Sequence, residues 1–302
     1  MLELNETKKA LFTIGVGAFG KMSELIKNTD YLPQKPGYFF KLLKMSYSVD
    51  TKPNEMTEEI GKDAATVAAV LNIPAIEQNY QSVNKKDVAN AINKLEKDFI
   101  QSSLEIDLAK KYHNAVAQRL GSADLKESWR LSIRAAIIAK AIAKWVNYKD
   151  AEQAFFTALL ADIPAIVLSI NDPEAQEKIQ DKIEKGLSSV EAEMVVLGFD
   201  HREFGAKLFK YFSMPSSVID VVQNGYNSEK VRSQNIQLTK IANFAKFLAK
   251  CFSDRTQSPS SIWTESQDSI EGLGLSLSTE EWGNKISLLF VKSLEFEMSV
   301  TQ

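Results

Sequence analysis

Asp162 is where chemistry is to be looked for first. It lies at a break in the apolar run AEQAFFTALLADIPAIVL, residues 151–168: Phe155, Phe156, Leu159 and Leu160 share one face of a helix, then come Asp162 and Ile163-Pro164, then a second apolar run. A lone carboxylate at the end of such a segment needs a partner or a ligand such as a metal ion, because burying a bare charge is costly. A second chemistry is suggested by residues 11–20, LFTIGVGAFG. There Gly15-x-Gly17-x-x-Gly20 precedes a helical KMSELIK, the spacing of a turn that lets a backbone approach a pyrophosphate. Its surroundings argue otherwise. No strand–helix–strand unit follows, and Asp30 lies in a loop ending Tyr31-Leu32-Pro33. The stretch is read as an N-terminal arm. Cys251, on an apolar helix without a histidine nearby in sequence, reads as an inert buried thiol. Ser132 and Ser213 carry no nucleophile motif. Lys8-Lys9 and Lys110-Lys111 are too sparse for a phosphate-backbone stripe. Lys85-Lys86, Arg130 and Arg134 read as solvated surface, and Tyr80, Tyr226 and Trp263 as exposed aromatics around a contact face.

The elements that must position these residues are helices. Leu125–Tyr148 carries the strongest periodicity, with Ile133, Ile137, Ala141 and Trp145 at four-residue steps. Upstream, helices are expected around Phe39–Met45, Thr57–Lys62, Ala64–Leu71 with Asp63 as N-cap, Val88–Leu95 and Phe99–Tyr112, with a loop over Asn72–Asn84. Downstream, residues 172–186 form a charged helix. Ser188-x-x-Glu191 is a capping box ended by Gly198, and Asp200 caps a helix through Phe212. Pro215 starts another helix. Asn235–Phe252 is amphipathic, residues 253–267 read as loop, and Ser278-x-x-Glu281 opens a final helix. No alternating strand and no fixed-period repeat is present. The fold class is all-α, two packed helical subdomains in one body. The domain reading is an arm at 1–24, a domain at 25–226 divided near Gly121-Ser122 into 25–120 and 121–226, and C-terminal helices at 227–302 packed on the second half.

Composition narrows the function classes. The chain has 302 residues, a net charge of −3 and a pI near 5.7, so no basic footprint argues for nucleic acid. No run is read as reaching the apolar length of a membrane helix, and the N-terminus lacks the organisation of a signal peptide. The single cysteine excludes an internal disulfide and suits the cytoplasm.

Taken in order, several segments resemble the HDOD domain. They are Leu32-Pro33, Asp63-Ala64-Ala65-Thr66 leading to Asn72, Trp129-Arg130-x-Ser132, Leu159-Leu160-Ala161-Asp162-Ile163-Pro164-Ala165, Leu197-Gly198-Phe199-Asp200-His201-x-x-x-Gly205, and Met214-Pro215. The likeness covers about residues 25–226. That family is related to the HD and HD-GYP metal phosphohydrolases, in which histidines and aspartates converge on a metal that generates the nucleophile. The resemblance implies a depleted site here. The early histidine is Leu131, beside Ser132. The histidine of the His-Asp pair is Ala161. The late aspartate is Asn243. The His-rich stretch of some relatives is Gln223-Asn224-Gly225-Tyr226. Only Asp162 and His201 are retained, and the one other histidine is His113. Leucine and alanine donate nothing to a metal, and asparagine is a weak neutral donor.

The expectation is therefore a chain with no catalytic residues, no metal and no cofactor. Its vestigial pocket comprises Asp162, His201, Asn243, Arg130, Ser132, Ala161 and Leu131. There an Asp162–His201 hydrogen bond, with Arg130 or Asn243, ties helices together. The function expected is that of a bacterial, cytoplasmic signal-transduction protein that regulates by binding a separate protein partner, with no nucleic acid or membrane involved. The alternatives are a residual metal-dependent phosphohydrolase and a nucleotide-binding sensor that keeps the old pocket.

Overall fold

The computed structural model describes residues 18, 20–33, 36–254 and 256–302. Gly15 and Gly17 of the glycine-rich arm lie outside the described residues. Helices follow one another along the chain: α1 (20–27), α2 (Pro36–Tyr47), α3 (Pro53–Ile60), α4 (Ala64–Leu71), α5 (Ala75–Asn79), α6 (Lys85–Ile92), α7 (Lys97–Val116), α8 (Ala123–Trp145) and α9 (Ala151–Leu159). Next come α10 (Ile163–Asn171), α11 (Pro173–Glu184), α12 (Ser189–Leu197), α13 (His201–Tyr211), α14 (Ser216–Gln223), α15 (Ile236–Ser253), α16 (Pro259–Gly272) and α17 (Thr279–Thr301). No strand occurs among the described residues.

The helix starts obey local chemistry. Asp63 accepts from the Thr66 N–H at 3.0 Å, and Asp200 accepts from the N–H groups of Arg202 and Glu203, both at 2.9 Å. Both expected capping boxes, Ser188/Glu191 and Ser278/Glu281, are closed reciprocally. Gly198 ends α12 in the left-handed region, φ 79°, where a side chain would be strained. Two segments read as loops contain helices. Ala75–Asn79 is a short helix, and Pro259–Gly272 is a full one that begins with a Ser258/Ser261 capping box and a proline in its first turn. Its Ser/Thr-rich composition hid a good start signal.

Helix α8 lies at the centre and packs on α9, α15 and α17. Two apolar cores meet along it. One joins α1–α8 with α9–α14 and the far end of α17, through Phe155, Phe156, Phe204, Phe296 and Val300. The other collects the small residues of α8 with α15, α16 and the near end of α17, around Phe244 and Trp282. The first core runs continuously across Gly121, and Met22 of α1 is buried in it. Arg134 of α8, itself buried, pairs with the buried Glu297 of α17 and donates to Ser253 Oγ at 3.1 Å. His113 accepts from Trp129 Nε1 at 3.2 Å and so links α7 to α8.

The apolar stretch holding Asp162 departs from expectation in one respect. Residues Ala151–Asn171 are long and apolar enough, by length and composition, to cross a membrane, but most of the stretch is buried inside the fold. The break expected within it is present. Pro164 has no N–H to give the Leu160 carbonyl and its ring crowds that carbonyl, so the helix stops and restarts over 160–162. Tyr80, Tyr226 and Trp263, read as exposed, are instead buried or half-buried. Each supplies more apolar ring area than a polar surface would leave wet.

Candidate functional site

The interruption between α9 and α10 presents Asp162 to helices from distant parts of the chain. Its side chain does not cap α10. Ser128 and Ser132, one turn apart on α8, both donate to its Oδ2, at 2.9 and 2.8 Å. Lys246 of α15 donates from Nζ to Oδ1 at 2.6 Å. Both oxygens are thus satisfied by three donors on two other helices. The Asp162 side chain is 16% exposed and that of Lys246 is 46% exposed, so the lysine reaches in from the rim along its apolar stem.

Tyr226 lies against the same centre. Its phenol donates to the Thr157 carbonyl at 3.1 Å, and its own carbonyl accepts from Asn243 Nδ2 at 2.7 Å. Burial first, and the negative charge of Asp162 second, push the phenol well above its ordinary pKa, so it stays neutral. Tyr226 has φ 61°, directly after Gly225 at the same φ. This left-handed pair turns the chain sharply enough to put the ring under α9 and the carbonyl under α15.

His201 is elsewhere. Its ring Nδ1 lies 2.7 Å from Glu193 Oε2, and its backbone N–H donates to the same oxygen at 2.8 Å. The expected Asp162–His201 hydrogen bond is therefore not formed. The turn at Gly198 folds α13 back on α12, and the buried Glu193 takes both donors eight residues upstream. The supporting roles expected of Arg130 and Asn243 are also corrected. Arg130 donates to Glu297 at 2.6 Å and Glu127 at 3.1 Å, and Asn243 serves the Tyr226 carbonyl. Of the expected pocket residues, the structure joins Ser132 to Asp162 directly, while Asn243 is held on the Tyr226 carbonyl instead. Ala161 is buried beside them, whereas Leu131 packs at the edge of the second core.

Gly205 explains the spacing of the His-x-x-x-Gly segment. A Cβ there would stand 2.6 Å from Pro164 Cγ and 2.9 Å from Val222 Cγ1. Only glycine allows α13 to press on the start of α10 and on α14 so closely.

Three residues of this arrangement belong to no motif in the sequence: Ser128, Lys246 and Glu193. Ser128 repeats Ser132 at one helical turn, and Lys246 follows Asn243 by three residues on the same face of α15. Those spacings were available, but nothing in the sequence says which face meets Asp162.

The residues present do not fit a metal ion. Asp162 is a single carboxylate with an ammonium already on one oxygen, and a divalent cation beside that ammonium would be repelled by it. Among the described residues no three His, Cys, Asp or Glu side chains converge to hold a metal.

Comparison with known proteins agrees with this architecture. The HDOD domain profile matches residues 32–228. A provisionally assigned phosphohydrolase from Shewanella amazonensis SB2B has the same fold with a TM-score of 0.64 at 19% identity, over 92% of this chain and 98% of its own. An HDOD domain protein of unknown function from Geobacter sulfurreducens superposes with a TM-score of 0.60 at 17% identity, over 93% of this chain and 96% of its own. A provisionally assigned signal transduction protein from Marinobacter aquaeolei VT8 gives 0.57 at 15% identity, over 95% of this chain and 66% of its own. Comparison with curated protein sequences gave no match. With the family profile covering most of the chain and the folds agreeing, the protein belongs to the HDOD domain family.

Proposed function

We propose that this HDOD protein is a non-catalytic regulator in bacterial, cytoplasmic signal transduction, acting by binding a separate protein. The observation that carries the reading is the state of Asp162. Its carboxylate meets two hydroxyls and an ammonium, and among the described residues no His, Cys, Asp or Glu cluster forms that could complete a metal-dependent hydrolytic centre. The positions at which the catalytic relatives would supply other ligands are Leu131, Ala161 and Asn243. Membership of the HDOD family, and the signal-transduction assignment of the Marinobacter relative, favour a regulatory setting. With chemistry set aside, what remains is a surface held in shape by a rigid helical body.

Two measurements test the reading together. Purified protein incubated with bis(p-nitrophenyl) phosphate and millimolar Mn2+ is expected to release no more nitrophenol than an Asp162→Ala variant. Turnover that the variant loses would replace this reading with a metal phosphohydrolase. Cross-linking affinity capture from the native organism is expected to return one protein in near-stoichiometric amount, identifiable by mass spectrometry. Thermal stabilisation by a nucleotide, with no protein captured, would replace it with a small-molecule sensor.

A further inference from the structure

We infer that Lys246 is a built-in cation, a side chain that neutralises and orients Asp162 so that the α9–α10 junction holds together without an ion. Three observations lead there. The ammonium stands 2.6 Å from Oδ1, while Oδ2 is filled separately by Ser128 and Ser132, so the three donors share the carboxylate without competing. They come from α8 and α15, helices that also pack on each other and on α9; the carboxylate is thus an acceptor on which three separate chain segments converge. The local charge also closes: one carboxylate and one ammonium sum to zero, whereas a dication added to the pair would leave two uncompensated positive charges in a half-buried site.

The default for a lysine this exposed is a solvated pair that contributes little. Geometry argues against that default here. The side chain has Asn243 one turn before it, held on the Tyr226 carbonyl at 2.7 Å, and Tyr226 in turn is held on Thr157 at 3.1 Å. The rim of α15 is therefore anchored one turn before the lysine stem, and the Asp162 end of the pair is mostly shielded from solvent. Less of the interaction is lost to side-chain entropy and to screening than on an open helix face.

The inference goes beyond the reading proposed above and can fail without it. The test is a double-mutant cycle by urea unfolding of the full chain, with wild type, Lys246→Met, Asp162→Asn and the pair. Lys246→Met is expected to lower the unfolding midpoint and reduce the equilibrium constant for folding about 10- to 100-fold. Lys246→Met is expected to cost several-fold less once Asp162 is Asn, and the coupling is expected to persist in 0.5 M NaCl. Wild type is expected to keep its midpoint when MnCl2 is added to 1 mM. Additive single substitutions, with wild type still indifferent to Mn2+, would sink the built-in cation and leave the non-catalytic reading standing. A wild-type midpoint that rises with Mn2+, and does so only while Asp162 is intact, would sink both. If Lys246→Met does not fold, Lys246→Arg gives a second reading of the charge. Recovery of more than half of the wild-type stability by arginine supports the inference, and its failure to fold would count against a role for charge.

Discussion

Helix α9 has a buried acid at one end and a half-buried acid at the other, and the two are treated in opposite ways. Glu152, in the first turn, is 2% exposed and, among the described residues, takes its own backbone N–H as donor. Burial, with a smaller contribution from the charge of Asp150, pushes its carboxyl from 4.5 to about 7. Asp162, just past the last turn, is less enclosed, its side chain 16% exposed, and receives three side-chain donors. The same helix therefore shows what burial of a carboxylate demands. Given donors, it ties helices together. Denied them, it takes up a proton near neutral pH.

The largest effect is expected from removing the satisfied acid. Asp162→Ala strands the Lys246 ammonium and two hydroxyls and should cost about 3 kcal/mol by chemical denaturation. An unchanged midpoint would show that the junction is held by apolar packing alone, and the contrast between the two ends would collapse. The opposite sign is expected at the other end. The folded carboxyl of Glu152 binds its proton more tightly than the unfolded one. Its contribution is therefore complete below pH 4.5 and is lost as the pH rises to about 7. Above that range the penalty is about 3 kcal/mol, at roughly 1.4 kcal/mol per pKa unit. Glu152→Gln should recover much of this at pH 8 and little at pH 4, flattening the stability profile between them. A profile that keeps its slope would assign the pH dependence to another group.

Smaller effects sharpen the comparison through Glu193, a buried acid with a strictly local partner. Glu193→Ala should cost about 2 kcal/mol because the His201 N–H loses its acceptor, whereas His201→Ala, which removes only the ring, should cost about 1 kcal/mol. If His201→Ala proved as costly as Asp162→Ala, the two surviving family residues would be energetically equivalent despite their separate networks.

These pairs also indicate what could be read from the chain beforehand. The break at 160–162, the caps at Asp63, Ser188, Asp200 and Ser278, and the central amphipathic α8 follow from rules that act within a few residues, and the structure has them where the sequence places them. Glu193 was within reach, since a turn at Gly198 must fold it back toward the start of α13. Lys246 was not. It is 84 residues from Asp162, and a lysine on an amphipathic helix defaults to solvent unless the rotation of that helix is known. The helix at 259–272 is hidden for a different reason: serine and threonine favour caps and turns as strongly as they disfavour helix interiors, so the composition masks the Ser258-Pro259 start.

The placement of α17 has a consequence for how the molecule comes apart. Its near end buries Trp282, Ile286 and Leu289 in one core, its far end buries Phe296 and Val300 in the other, and Glu297 is locked between them by Arg134. Neither core can melt without loosening the helix that completes its neighbour. Calorimetry should therefore record a single all-or-none transition with matching calorimetric and van't Hoff enthalpies. Arg134→Met, which unlocks the rivet, should split that peak in two.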